Sequence, residues 1–280
     1  MRAAFLAVLL GLAITAAASA ADEVLWMVPE FPPAFISGPF RTGEGYGDRQ
    51  LDFLTAHLPQ FGHTRIAAPM SRLWHEIGRR DGTCTLAAAR LPEREKIASF
   101  SARSFHGTGN QVIVRTDRLG DFQRFLDKSG ALDLTRLAAD DTLRGAYTDT
   151  TSYGPAIDAF IRDHARKTPL QLVPHLRMPL ALLDKRRVDF VFGYYMEMSY
   201  FRQLDRLGDN FTALPTSPEM APLGGHVACT NGPLGREVIA AIDALLASDD
   251  GMLAYIEPLR DWYSPADFEA ARKAAQPAGR

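Results

Sequence analysis

The feature that most constrains this chain is a repeated alternation of short β-rich runs with segments of helical periodicity. Glu23 to Val28 (EVLWMV) reads as a strand, and Asp48 to Leu58 repeats Leu51, Leu54 and Leu58 at helical spacing. His63 to Ala68 fits a second strand. Arg72 to Arg80 carries Leu73, Trp74 and Ile77 on one face, with Ser71 placed to cap it, and Thr83 to Ala89 is a third strand. Strands separated by helices need crossover connections, and such crossovers build a mainly parallel sheet with helices on both faces.

The pattern then begins again. Asn110 to Arg115 is a strand, followed by helical patterns at Asp121 to Lys128 and Leu134 to Ala139. Short strands at Thr142 to Tyr147, Leu170 to Val173, Val188 to Gly193 and Phe211 to Leu214 alternate with helices at Pro155 to His164, Pro179 to Arg187 and Met198 to Leu207. What remains is one strand, Gly225 to Cys229, the helix Leu234 to Leu246, and helical runs at Tyr255 to Trp262 and Pro265 to Ala274. These are too few for a third body, so the chain is expected to return to the first. Lobe 1 then holds 21–106 and 224–270, lobe 2 holds 107–223, and 271–280 form a flexible tail. Two crossings, near Phe105 to Gly109 and Pro222 to Gly225, make the hinge. Gly107, Gly109, Gly224 and Gly225 suit segments that absorb backbone rotation. The expected fold is α/β: two mixed sheets flanked by helices and joined by a two-segment hinge.

The first twenty residues stand apart. Arg2 precedes an apolar run from Ala3 to Ile14, and Ala18-Ser19-Ala20 is an A-x-A cleavage site. This is the charge, length and exit of a signal peptide, with cleavage expected after Ala20 and an exported mature chain. The run is too short to span a bilayer comfortably. Lys+Arg and Asp+Glu nearly cancel, at 31 and 33, and no basic run points to nucleic acid. The two cysteines, Cys84 and Cys229, form an even pair in an exported chain, which points to a disulfide; two buried thiols are the alternative. Such a bond would close a loop of roughly 150 residues, for which chain entropy gives about 4–5 kcal/mol as a ceiling.

Several motifs fall in a telling order. Strand 1 leads into Phe31-Pro32-Pro33-Ala34-Phe35. The turn Gly43-Glu44-Gly45-Tyr46-Gly47-Asp48 precedes a helix. Leu91-Pro92-Glu93-Arg94 follows strand 3, and Arg187-Val188-Asp189-Phe190 leads into the apolar strand of the second block. In this order the chain resembles the extracellular solute-binding proteins of family 3, the periplasmic receptors of polar amino acid importers. A closer resemblance, to a proteobacterial branch of that superfamily, rests on Leu58-Pro59, Arg72-Leu73-Trp74, Cys84 and Cys229. The resemblance implies the two-lobed periplasmic binding protein fold of type II, a periplasmic location, a small-molecule ligand, and an inner-membrane transporter or sensor as partner. It implies no cofactor and a monomer.

In a doubly wound sheet, ligands sit outside the carboxyl ends of the strands. That rule selects Glu30 and Phe31 after strand 1, Arg72 after strand 2, and Arg90 and Arg94 after strand 3. In the second block it selects Ser152 and Tyr153 before the helix at Pro155, and Tyr194, Tyr195 and Glu197 after the Val188 to Gly193 strand. The family places a carboxylate-binding arginine at Arg94, whose planar fork suits that group. Ser152 with the helix start near Pro155 fits an anion. Tyr153, Tyr194, Tyr195 and Phe31 can stack on a planar or cationic group. The family's ammonium-binding Asp is replaced here by Tyr194 and the Thr before its arginine by Leu91, so an anionic molecule fits as well as an α-amino acid, with Glu197 or Glu30 left to supply negative charge.

Enzymatic motifs are sparse. None of the seven histidines forms an H-x-x-x-H or H-x-H pair, and neither G-x-S-x-G nor a phosphate loop occurs. A dehydratase-like reading on the same fold would use Glu197 or Glu30 as acid or base. Import, sensing and a scaffold without ligand all share the clamp architecture.

Overall fold

The computed structural model describes residues 21–107, 109–148, 152–164, 169–175, 177–217 and 223–275. The expected signal peptide, 1–20, lies outside them. The first body runs β1 (Glu23–Val28), α1 (Tyr46–His57), β2 (Gly62–Ala67), α2 (Met70–Ile77), β3 (Thr83–Ala88), α3 (Pro92–Glu95), β4 (Ala98–Phe100) and β5 (Phe105–Gly107). The second runs β6 (Gln111–Arg115), α4 (Leu119–Phe122), β7 (Leu132–Asp133), α5 (Leu134–Ala138), β8 (Gly145–Tyr147), α6 (Pro155–His164), β9 (Leu170–Leu172), α7 (Arg177–Asp184), β10 (Phe190–Gly193), α8 (Tyr195–Leu204), β11 (Phe211–Leu214) and β12 (Thr216–Ser217). The chain then returns through β13 (Leu223–Thr230), α9 (Pro233–Leu246), α10 (Asp249–Ile256) and α11 (Pro265–Ala275).

Two mixed sheets result, and they share one topology. The first is ordered β2-β1-β3-β13-β4, with β5 also paired to β13; the second is ordered β9-β8-β10-β6-β11. In each, three strands run parallel and a fourth joins antiparallel. A fifth then pairs antiparallel to the fourth. The antiparallel strand, β13 or β6, follows a crossing between the sheets in both cases. Side chains alternate across β1: Val24 and Trp26 enter one core, Leu25 and Met27 another. In the second sheet Phe190 and Phe192 face one core and Val191 the other. Both faces of both sheets are therefore covered, as parallel sheets require.

The two crossings meet as a short ribbon, with Leu223, Gly224 and Gly225 opposite Gly107, His106 and Phe105. Glycine at 225 has a packing reason: a Cβ there would fall 2.2 Å from the Phe105 ring. Cys84 and Cys229 sit directly opposite one another on β3 and β13, their Cα atoms 4.0 Å apart, and are joined as a disulfide. Both lie in the core under α9, where Val238 and Ile242 pack.

Local differences have local causes. Ser71 does not cap α2. The helix starts two residues earlier, at Met70, with Pro69 in the cap position, where a proline's fixed φ and missing N–H cost nothing. The helix expected over Asp121 to Lys128 is only α4 plus a 3-10 turn at Gln123–Phe125, because Phe122 and Phe125 both turn into the core. The expected tail from 271 is helical to Ala275. Ala271 and Ala275 are buried against lobe 1, and Arg103 donates to the Ala275 carbonyl. Residues 276–280 lie outside those described.

The disulfide spans 145 residues of sequence. Replacing both cysteines by serine should lower unfolding stability by about 2–4 kcal/mol, read from urea or thermal unfolding. An unchanged midpoint would mean that the bond contributes nothing to the folded state.

Candidate functional site

Sheets of this kind hold ligands outside the carboxyl ends of their parallel strands, which here are β1, β2 and β3 in lobe 1 and β8, β9 and β10 in lobe 2. After β1, Phe31 and Phe35 exchange backbone hydrogen bonds and leave Phe31 exposed. The amino end of α1 is closed by its own chain: Tyr46 N–H donates to Pro33, and Gly47 and Asp48 N–H to Ala34. The Asp48 carboxylate accepts from Ile36 and Gly45. A Cβ on residue 45 would meet the Ala34 oxygen at 2.2 Å, so the Gly43 to Asp48 turn serves close packing. Glu30 is exposed and accepts from the Ser37 N–H.

The three arginines have different surroundings. Arg90 pairs with Glu95. Arg72, on the first turn of α2, is exposed. Arg94 lies with its guanidinium 4.2 Å from the centre of the Trp74 ring and donates to the Ala89 carbonyl at 3.1 Å. Burial lowers its pKa, Glu93 partly offsets this, and no carboxylate lies within ion-pair distance among the described residues. A half-buried guanidinium lying over an indole, with donors left over after the Ala89 bond, can receive an anion.

On lobe 2, residues 149–151 lie outside those described. Ser152 Oγ donates to Asp158 at 2.5 Å, and Tyr153 N–H donates to the same carboxylate at 2.9 Å. The amino end of α6 thus already faces an acid, which disfavours the anion expected there. Tyr153 does not line the cleft wall. Its ring is 1% exposed and packs 5.8 Å from Phe192, while its hydroxyl accepts from the Thr148 N–H. An aromatic after a buried strand fills the core when its hydroxyl finds a backbone donor.

Tyr194 caps α8 and is hydrogen bonded through its hydroxyl to Asn110, at the start of lobe 2. Tyr195 is half-buried. Glu197 is 8% exposed, and burial pushes its pKa up to about 7 despite the donated Tyr194 N–H. Its charge is felt by Tyr46 of lobe 1 and by Tyr153 and Tyr194 of lobe 2, whose own acidity burial already suppresses. Sequence reasoning singled out Glu197 but not Tyr46, on which its charge acts.

It also missed how α8 is held. Met198 and Phe201 pack into lobe 2, while Tyr200 belongs to the lobe 1 core with Met196 and Leu204 against it. The Tyr200 ring meets Phe40 edge-on at 5.7 Å and Trp262 at 6.1 Å. Arg41, lying over Trp262, donates to Gln203 at 2.9 Å. The run Tyr195-Met196-Glu197-Met198-Ser199-Tyr200-Phe201 is apolar on more than one helical face, a sign of burial on two sides.

No family model and no curated protein matches the chain. Solved structures do. It is similar to the probable amino-acid ABC transporter extracellular-binding protein ytmK of Bacillus subtilis, at 13% identity over 88% of this chain and 99% of that one, with a TM-score of 0.62. An ancestral cationic amino acid solute binding protein matches at 12% identity over 86% and 96%, with a TM-score of 0.64. The periplasmic VFT2 domain of BvgS from Bordetella pertussis matches at 16% identity over 86% and 94%, with a TM-score of 0.54. The fold is the two-lobed periplasmic binding protein fold. Among the described residues no helix is long and apolar enough to cross a membrane.

The shared helix gives a direct test. Tyr200→Ala should cost about 3 kcal/mol in urea unfolding, the usual range for emptying a buried aromatic site. A loss below about 0.5 kcal/mol would show that α8 is not docked on lobe 1 in the native state.

Proposed function

We propose that this chain is an exported solute-binding protein that closes its two lobes on a small polar, carboxylate-bearing molecule and performs no chemistry on it. The observation that carries the reading is Arg94: a half-buried guanidinium at the carboxyl end of β3, stacked on Trp74 and without an ion-pair partner among the described residues. The fold supports it, since the carboxyl ends of parallel strands are where such sheets hold ligands. Arg72 and Phe31, both exposed at the same edge of lobe 1, complete that wall. Tyr194, Tyr195 and Glu197 close from lobe 2, with Ser152 at its margin. Ligand touching both lobes binds the closed form better and shifts the population towards it.

In this reading residues 1–20 are removed and the mature chain works in the periplasm as a monomer. Lobe 1 comprises 21–106 and 224–270, continued by the end of α11 to Ala275, and lobe 2 comprises 107–223. The closed form hands its ligand to an ABC-type importer in the inner membrane. Tyr194 stands where amino acid receptors of family 3 carry an acid, and a neutral phenol is a poor ammonium partner. That favours carboxylates over plain α-amino acids.

Thermal shift against amino acids, dicarboxylates and oligopeptides should find the ligand class, since 100 times Kd of a ligand adds about 2.7 kcal/mol of stability. With the best ligand, Arg94→Ala should weaken binding at least tenfold by calorimetry while leaving the melting temperature of the free protein within a few degrees. Arg90→Ala, which breaks only the surface pair with Glu95, should change affinity less than twofold. Equal affinity of wild type and Arg94→Ala would remove the site.

A further inference from the structure

Helix α8 belongs to two cores at once, so the lobes part only if its lobe 1 face comes away. Glu197, its third residue, is 8% exposed and stands one turn before Tyr200, the side chain that enters the lobe 1 core. The ionised carboxylate would act on Tyr46 of α1, on Tyr153 in the segment before α6 and on Tyr194 at its own helix cap. Tyr255 of α10 and Tyr263 act on Tyr46 as well. One turn along, Glu30 and Arg177 bear on Tyr200, and Arg41 and Asp261 form a surface pair. Glu197 is buried and has no ion-pair partner among the described residues, and the one hydrogen bond that favours its charge is that of the Tyr194 N–H. A carboxylate so buried loses water and gains no cation, a cost the neutral acid avoids.

We propose that Glu197 is a proton-operated latch: in its neutral form α8 docks on lobe 1, and in its ionised form α8 releases and the lobes separate. The sign follows from linkage. A carboxyl whose pKa is raised in the docked state favours docking below its ordinary value and loses that contribution as pH rises through the raised one. Here the window runs from 4.5 to about 7, so the docked-to-released ratio falls by up to roughly 300-fold across it. The proposal rests on the clamp reading only for what separation accomplishes.

Small-angle scattering of the purified, ligand-free exported protein from pH 5 to 8.5 tests it. The radius of gyration should rise with a one-proton transition, and Glu197→Gln should stay compact throughout. A second measurement does not need the variant to fold. Wild-type protein labelled with 13C at the glutamate carboxyl should show one glutamate titrating near neutrality, with a midpoint matching the scattering transition. A constant radius in wild type, a transition retained in Glu197→Gln, or no glutamate titrating near neutrality overturns the latch. Because no ligand is present, failure here leaves the Arg94 affinity result standing, and failure of that result leaves the latch standing.

Discussion

Lobe 1 is held together by a strand that arrives last. β13 lies between β3 and β4, and β4 reaches the sheet only through it. Every residue of lobe 2 is synthesised before β13 exists, so the first sheet is completed by pairing over the longest separation in the fold. Loop-closure entropy opposes such pairing, but only as the logarithm of length. It is offset by burial of Val227, Ala228 and Cys229 between the helices of lobe 1, and the disulfide to Cys84 removes much of the remaining cost from the unfolded state. The same return creates the second hinge strand, so the covalent layout that completes lobe 1 also makes a clamp.

Helix α8 plays the corresponding part between the lobes. A helix on the surface of one domain needs a single apolar stripe. This one carries Met198 and Phe201 into lobe 2 and Tyr200 into lobe 1, so it is a wedge shared by both bodies. Near its amino end Glu197 is buried without an ion-pair partner among the described residues. On the proposed reading the cleft has two differently prepared charges. Arg94 lies over Trp74 and is able to take an anion, whereas burial disfavours Glu197 as an anion.

Much of the fold was legible because the signals that specify it are short-range. Periodicities of two and about 3.6 mark strands and helices locally, and the order of blocks implied the return to lobe 1. β4 escaped notice because a three-residue strand is too short to show alternation. Ser71 looked like a cap because its residue type suits that role, but Pro69 fills the position. The site was less legible. Arg90 and Arg94 are four residues apart and identical in type, yet one is neutralised by Glu95 and the other is not. Tyr153 follows a strand end as Tyr194 does, yet it turns inward because the Thr148 N–H meets its hydroxyl there.

By itself, then, the order of residues determined the two-sheet α/β architecture, the double crossing, the candidate edge at the strand ends and the pair of cysteines set apart to meet. Each follows from periodicity, chain connectivity or residue chemistry, which act along the chain. Only tertiary structure decided which side chains at that edge remain available, that Glu197 is buried, and that α8 joins both cores. The joining of α8 to lobe 1 depends on contacts between residues more than a hundred positions apart, such as Arg41 with Gln203, and the edge side chains on nearer ones, such as Arg90 with Glu95; in both the direction of a side chain is set by its neighbours in space.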